Sequence, residues 1–297
     1  MSDYSHLHPQ SRPIAAQDNA LREDWINRPR WIGYPRAHEI LSKLEDLVRH
    51  PRQTRMPSML LLGNTNNGKT RLIERFIRQH PVKEDLQNDY VHAPVLFIQT
   101  PAAPTEAALY SEILNAFYER VPASSLDAKR DRAMHVLKGV RLKVLLLDEL
   151  HNMLASNKSQ QQQVLNSLKF MSNVLSISIV GCGTGDLARA VSIDPQIQNR
   201  FKPLVLPNWR PDEQAYRDLL ASFEVVLPLR RPSSLSSNTV AHKINAMTEG
   251  TIGEISDLLN LAAKQAIRDG TECITVKELN SCGYVPPSDR KKQIASL

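Results

Sequence analysis

Gly63-Asn-Thr-Asn-Asn-Gly68-Lys69-Thr70 is the stretch that decides the fold. Immediately before it runs Met59-Leu60-Leu61-Leu62, and immediately after it the amphipathic Arg71-Leu-Ile-Glu-Arg-Phe-Ile-Arg78. Strand, glycine loop, helix is the order a phosphate cradle requires. Glycines let backbone N–H groups approach the phosphates, and the new helix points its positive end at them. Lys69 then reaches the β/γ oxygens, and Thr70 offers a hydroxyl to Mg²⁺. Gly63, Asn64, Thr65, Asn66, Asn67, Gly68, Lys69, Thr70 and the adjoining Arg71 are the expected nucleotide contacts, with ATP and Mg²⁺ as the expected cofactors.

Outward from the loop, buried runs alternate with helical patterns. Pro94-Val-Leu-Phe-Ile-Gln-Thr100, Lys143-Val-Leu-Leu-Leu147 and Ile177-Ser-Ile-Val180 read as strands. Helical spacing recurs over 37–48, 107–118, 130–138 and 163–175, the last behind the glutamine run Gln160–Gln163, read as a solvated helix start. Continuous apolar strands separated by helices indicate an α/β fold whose parallel sheet is covered on both faces. Composition shifts at Pro207-Asn-Trp-Arg-Pro211, after which helical patterns occupy 212–223, 239–248, 254–268 and 276–279. The expected organisation is a semi-ordered N-terminal arm over 1–30 with a short helix-like stretch around Asp18–Ile26, a nucleotide-binding domain over 31–208, an all-helical lid over 209–285, and a flexible basic tail over 286–297.

Val144-Leu-Leu-Leu-Asp148-Glu149 completes the expected site. An acidic residue at the C-terminal end of a buried strand beside the loop strand can hold Mg²⁺, directly or through water, and Asp148 fits that role. Glu149, one residue on, is placed to orient and deprotonate a water attacking the γ-phosphate. A kinase has a substrate hydroxyl as nucleophile and less need of such a glutamate, so the pair favours ATP hydrolysis. Asp148-Glu149-Leu150-His151 also spells the DExH pattern of helicases, but those place arginines on a second complete ATPase domain, for which the short helical remainder leaves no room. His151 is read as a packing residue or a support for the site. Thr184, in Gly181-Cys-Gly-Thr-Gly185, can bring a hydroxyl to the γ-phosphate or the attacking water; the alternative is a glycine-rich turn with an incidental threonine. Arg200, in Asp194-Pro-Gln-Ile-Gln-Asn-Arg200-Phe201, can stabilise γ-phosphate charge across a subunit boundary, or else sits in a surface ion pair.

Hydrophobic content of 41% and charged content of 23% are ordinary for a soluble globular chain, and no apolar run approaches the roughly 20 residues of a membrane span. The N-terminus lacks a signal-peptide profile, and three cysteines without a C-x-x-C pair read as reduced thiols. A cytoplasmic protein without a membrane partner is expected. The net charge of +6 permits an acidic polymer as partner. Lys129, Arg130, Arg132 and Lys138 are the candidate DNA contacts, touching phosphates and not reading bases; a solvated helix face is the alternative.

Together these residues resemble an AAA+ ATPase. Gly63–Thr70 match Walker A, Leu145–Glu149 Walker B, Thr184 sensor 1, Ile197-Gln-Asn-Arg200-Phe201 the arginine-finger box, and the trailing helices the lid. More narrowly, residues 25–285 resemble the TniB/TnsC transposition regulators, relatives of the phage transposition ATPase MuB. That likeness rests on Trp31-Ile-Gly-Tyr-Pro35, Pro101-Ala-Ala-Pro104, Asp148-Glu-Leu-His-Asn-Met153, Leu165-Asn-Ser-Leu-Lys169 and Val180-Gly-Cys-Gly-Thr184. The lid departs from the wider pattern: Gly250-Thr-Ile-Gly253-Glu254-Ile255 carries no sensor-2 arginine. The resemblance implies an AAA+ P-loop ATPase that forms homo-oligomeric rings or filaments on double-stranded DNA. It also implies recruitment of a transposase, work with a TniQ-like target selector, and release on hydrolysis. The rival readings are a helicase loader or replication initiator, and a scaffold that binds ATP without hydrolysing it.

Overall fold

The computed structural model describes residues 4–85, 90–192 and 198–296. In chain order, helices α1 (Arg12–Ala15), α2 (Asn19–Asn27) and α3 (Pro35–Arg49) lead to strand β1 (Ser58–Gly63) and helix α4 (Lys69–Gln79). Strands β2 (Lys83–Asp85), β3 (Tyr90–His92) and β4 (Val95–Gln99) follow, then α5 (Glu106–Ala116), α6 (Leu126–Gly139) and β5 (Val144–Asp148). A 3-10 turn (Leu150–Ala155), α7 (Lys158–Leu175), β6 (Ser178–Gly183), α8 (Gly185–Val191) and β7 (Phe201–Leu206) complete the α/β part. Helices α9 (Gln214–Val226), α10 (Asn238–Thr248), α11 (Ile252–Arg268), α12 (Val276–Ser281) and α13 (Pro287–Ala295) close the chain. Two compact units result. One holds Arg36–Thr65 and Lys69–Pro207; the other holds the residues up to Pro35, Asn66–Gly68, and those from Asn208 onward.

In the α/β unit a parallel sheet has the order β4-β5-β6-β1-β7. All five residues of β5 are buried, as expected of a central strand covered on both faces. Leu60, Ile98, Leu145, Leu147 and Ile179 from the strands meet Leu109, Ile113, Leu168 and Met171 from α5 and α7 in one core. Side-chain oxygens start the covering helices: Thr105 and Ser125 accept from backbone N–H groups of α5 and α6, and Asn157 forms a capping box with Gln160 on α7. Strand β7 has no counterpart in the sequence expectations. It pairs with β1 from Ser58–Phe201 to Gly63–Leu206, buries only Phe201, Leu204 and Leu206, and contains Pro203. A half-buried run with a proline reads as a loop, yet it is a legitimate edge strand, where the missing N–H faces outward. The small β2–β3 hairpin was likewise unforeseen.

The helical unit packs Tyr216, Leu220, Phe223, Ile244, Ile255, Leu258 and Leu259 into a second core. Its extent differs from the sequence reading. Residues 1–30, expected as a semi-ordered arm with a helix-like stretch around Asp18–Ile26, hold that helix as α2 and also α1, and Ile26 joins the core. Arg22 is fully buried: it donates to Pro228 O (3.1 and 3.0 Å), Asn19 Oδ1 (3.2 Å) and both oxygens of Glu272. A polar, proline-marked segment becomes ordered here because its arginine finds a carboxylate 250 residues away. Trp31–Pro35 also belong to this unit, with Tyr34 edge-on to Trp209 at 5.1 Å. Residues 286–297, expected as a flexible tail, hold α13, which buries nothing but is pinned by Ser288 N–H donating to Glu249 (2.9 Å). Among the described residues no helix is long and apolar enough to cross a membrane.

Candidate nucleotide site

Strand β1 delivers Gly63 to the C-terminal edge of the sheet, and α4 opens with Lys69 and Thr70. Lys69 is buried, and its ammonium donates to the carbonyls of Gly63 and Asn64, each at 2.8 Å. Burial lowers its pKa; the charges of Asp148 and Glu149 work in the opposite direction. Thr70 Oγ1 donates to Asp148 Oδ2 (3.1 Å), and the Glu149 N–H donates to Asp148 Oδ1 (2.9 Å). The register Gln99–Asp148 puts Thr100 next in line, and its N–H donates to Asp148 O (2.9 Å). Lys69, Thr70, Asp148 and Glu149 are thus gathered at one edge of the sheet.

Glu149 occupies the left-handed region (φ 54°, ψ 29°), uncommon for a residue with a side chain and enriched at functional sites. Its carboxylate lies 3.3 Å from His151 Nε2. The turn that carries this pair presses on β6: a Cβ added to Gly183 would stand 3.0 Å from His151 Nδ1. Glycine there permits the approach that sets His151 beside the strand leading into Thr184. Sequence reasoning credited Thr184 and treated the glycines as turn formers; their packing role emerges only with the 3-10 turn in place.

Buried polar atoms without a hydrogen-bond partner among the described residues include Thr100 Oγ1, Thr184 Oγ1 and His151 Nδ1. Leaving such groups unmatched costs about 1–3 kcal/mol each, so a bound group that supplies partners is favoured here. Thr100 was missed in the sequence, although a hydroxyl on the strand beside Asp148 is a usable signal. A divalent cation also fits: Thr70 and Asp148 offer hard oxygens within 3.1 Å of each other. Among the described residues no cluster of three His, Cys, Asp or Glu forms a metal site by itself, so remaining ligands would come from phosphate and water. Cys182, behind the site, is fully buried, and burial pushes its thiol well above the ordinary range. All three cysteines are free.

Arg200 is not brought to this edge. The Ser58 N–H donates to Arg200 O (3.3 Å), so Arg200 stands at the opposite end of β1 from Gly63, and its guanidinium donates to Asn173 on α7 (2.7 Å). Five residue steps of strand, from Ser58 to Gly63, separate the two ends by about 16–17 Å. Ile197, the first residue of the expected arginine-finger box, and Asp194–Gln196 before it lie outside the described residues. The four basic candidates line α6. Arg130 pairs with Asp127 (2.7 Å) and lies over the Phe170 ring, and Arg132 pairs with Glu119 (2.6 Å). Lys138 borders a cavity of about 340 Å³ with Arg52 and His135.

In the helical unit, Asn66 and Asn67 meet the start of α11. Thr251 provides no side-chain cap; instead the Gly253 N–H donates to Asn66 O (2.9 Å) and the Ile252 N–H to Asn67 Oδ1 (3.4 Å). The Asn66 amide donates to Glu254 Oε1 (3.1 Å).

Residues 22–211 match the family described as bacterial TniB protein. The chain belongs to the TniB family. This TniB-family chain is also 20% identical over 275 residues to an ORC1-type DNA replication protein 1 from Sulfurisphaera tokodaii, covering 88% of the chain. It spans 65% of the length of that curated relative. Among solved structures it is similar to a Drosophila ORC bound to DNA, with TM-score 0.61 and 16% identity over 90% of this chain and 65% of that one. It is similar too to an Aeropyrum pernix ORC2 protein in ADPNP–ADP complexes, with TM-score 0.56 and 14% identity over 86% and 70%. The fold is that of an AAA+ P-loop ATPase with a helical subdomain.

Proposed function

We propose that this TniB-family chain is an ATPase that assembles on target duplex DNA in its ATP state, recruits and activates a transposase, and lets go on hydrolysis. The observation that carries the reading is the separation of Arg200 from the gathered Lys69, Thr70, Asp148 and Glu149. An arginine at the opposite end of β1 is out of reach of its own phosphate loop and suited to a neighbour's. Nucleotide occupancy then becomes a signal for assembly, because the γ-phosphate is shared between copies.

Each residue's part follows from its surroundings. Lys69 exchanges the carbonyls of Gly63 and Asn64 for phosphate oxygens. Thr70 and Asp148 would hold Mg²⁺, whose charge would offset that of the phosphates. Glu149 accepts a proton from the attacking water, whose oxygen bonds to the γ-phosphorus as the bond to the β-bridging oxygen breaks, giving ADP and phosphate. His151 holds the Glu149 carboxylate, and the buried, unmatched hydroxyls of Thr184 and Thr100 are the proposed donors to phosphate or water. Contacts from a helical array to DNA phosphates suit a protein that must act at many sequences. Lys129 and Lys138 are the proposed contacts on α6; Arg130 and Arg132 would first have to leave their carboxylates.

The likeness to an ORC1-type protein favours a second reading, a helicase loader or initiator. Electron microscopy with duplex DNA and a non-hydrolysable ATP analogue tests the proposal. Ordered oligomers on DNA are expected, monomers alone would defeat it, and stimulation of phosphate release by a helicase and not a transposase would favour the second reading.

A further inference from the structure

The helical unit holds the tip of the phosphate loop through an acidic residue, an odd choice beside a loop that must receive a polyanion. Glu254 is buried in the first turn of α11, and its Oε1 accepts from the Asn66 amide at 3.1 Å. Two groups compensate the carboxylate from the C-terminal side. Tyr284 Oη donates to Glu254 Oε2 at 2.6 Å, and Arg290 of α13 pairs with the same oxygen. Burial works to raise the Glu254 pKa, but the hydrogen bonds from Arg290, Tyr284 and Asn66 prevail, so the carboxyl lies below its ordinary value and is ionised at neutral pH. Asp257, one turn on, is pushed the other way, first by burial and then by the Glu254 charge.

Helix α13 buries none of its residues, so packing does not account for its position. Its ties to the rest of the unit include Arg290 to Glu254 and Ser288 N–H to Glu249. Gly253, the residue before Glu254, has no room for a side chain of its own: an added Cβ would stand 1.9 Å from Asn66 Oδ1. The cation at this corner arrives instead from the end of the chain.

We infer that Arg290 is a positioning residue for the phosphate loop: by neutralising the Glu254 carboxylate that holds Asn66, it keeps the loop's tip receptive to a nucleoside triphosphate. Arg290 is itself exposed, but Glu254 is buried, so removing the arginine leaves a buried charge without its cation, whereas removing both charges does not. The inference rests on the nucleotide reading proposed above.

The test is equilibrium binding of a fluorescent ATP analogue with Mg²⁺ to the full chain. Arg290→Ala is expected to weaken binding about tenfold, and Arg290→Lys, which keeps the charge, about threefold or less. On a Glu254→Gln background, adding Arg290→Ala is expected to cost no more than about a further twofold, because the charge it answered is gone. Arg290→Ala within twofold of wild type, or an equal loss on both backgrounds, overturns the inference. Melting curves of each variant accompany the titrations, and the comparison on the Glu254→Gln background stands even where Arg290→Ala alone is unstable. A Lys69→Ala control separates the two levels. Wild type binding no better than Lys69→Ala sinks the nucleotide reading and the inference with it; Lys69-dependent binding that ignores Arg290 sinks only the inference.

Discussion

Gly253→Ala should separate stability from nucleotide affinity. The new Cβ would lie 1.9 Å from Asn66 Oδ1 and 2.6 Å from the Asn66 carbonyl oxygen. The amide can swing away, but the carbonyl is backbone and also accepts the Gly253 N–H at 2.9 Å. A carbon–oxygen contact settles near 3.3 Å, so the loop tip must retreat by about 0.7 Å. That stretches the hydrogen bond from the Gly253 N–H to the Asn66 carbonyl beyond useful length and costs about 1 kcal/mol. Alanine in the first turn of α11 returns about 0.5–1 kcal/mol of helix propensity over glycine. Because the displaced amide also gives up its bond to Glu254, the balance is a loss of about 1 kcal/mol, and the melting temperature should fall by about 2–4 °C. Affinity has no such compensation. Displacing part of a phosphate cradle by most of an ångström should weaken ATP binding about tenfold or more. Calorimetric titration with a non-hydrolysable analogue, beside melting curves, reads both quantities. An affinity within twofold of wild type would refute the claim that α11 fixes the loop tip.

Other perturbations probe the remaining links. Arg22→Ala strands the largely buried Glu272 and the Pro228 carbonyl, and should destabilise the chain by about 3 kcal/mol in urea titration. The loss stays modest for a broken buried pair because Arg230 also approaches Glu272 (3.6 Å). In acid, Glu254, Glu278 and Glu23 have carboxyls held below the ordinary value of 4.5, with hydrogen bonds from Arg290, Thr275 and Arg268 among the causes. Their stabilisation is fully present above pH 4.5 and drains away as pH falls through the lowered values, so melting temperatures should drop between pH 5 and pH 3, less so in Glu254→Gln. Glu149→Gln should bind ATP but release phosphate at least about a hundredfold more slowly and persist on DNA, as filter binding after an ATP chase would report.

Much of the fold was legible in the sequence because its signals are contiguous. Met59–Leu62 and Val144–Leu147 are unbroken apolar strands, and Gly63–Thr70 and Asp148-Glu149 sit at their ends, so the core of the site could be placed by adjacency alone. What stayed hidden depends on distant partners. Arg22 looks like a solvated arm residue until Glu272 is beside it, and Asn66 like an ordinary loop residue until Gly253 and Glu254 are. Strand β7 hides for a different reason: an edge strand buries one face and tolerates Pro203, so neither continuous hydrophobicity nor proline avoidance marks it. The wear of Gly183 against His151 likewise needs the 3-10 turn, which no periodicity announces.

The sharing of a triphosphate between copies is tested most directly by mixing two disabled variants. Lys69→Ala lacks a working loop but keeps Arg200; Arg200→Ala keeps its loop but lacks the arginine. On DNA each alone should release phosphate at background. Combined in equal amounts, they should regain a measurable fraction of wild-type turnover, because an intact loop on one copy now meets an intact arginine on the next. A mixture as silent as its components, or Arg200→Ala hydrolysing ATP at the wild-type rate alone, would contradict the account.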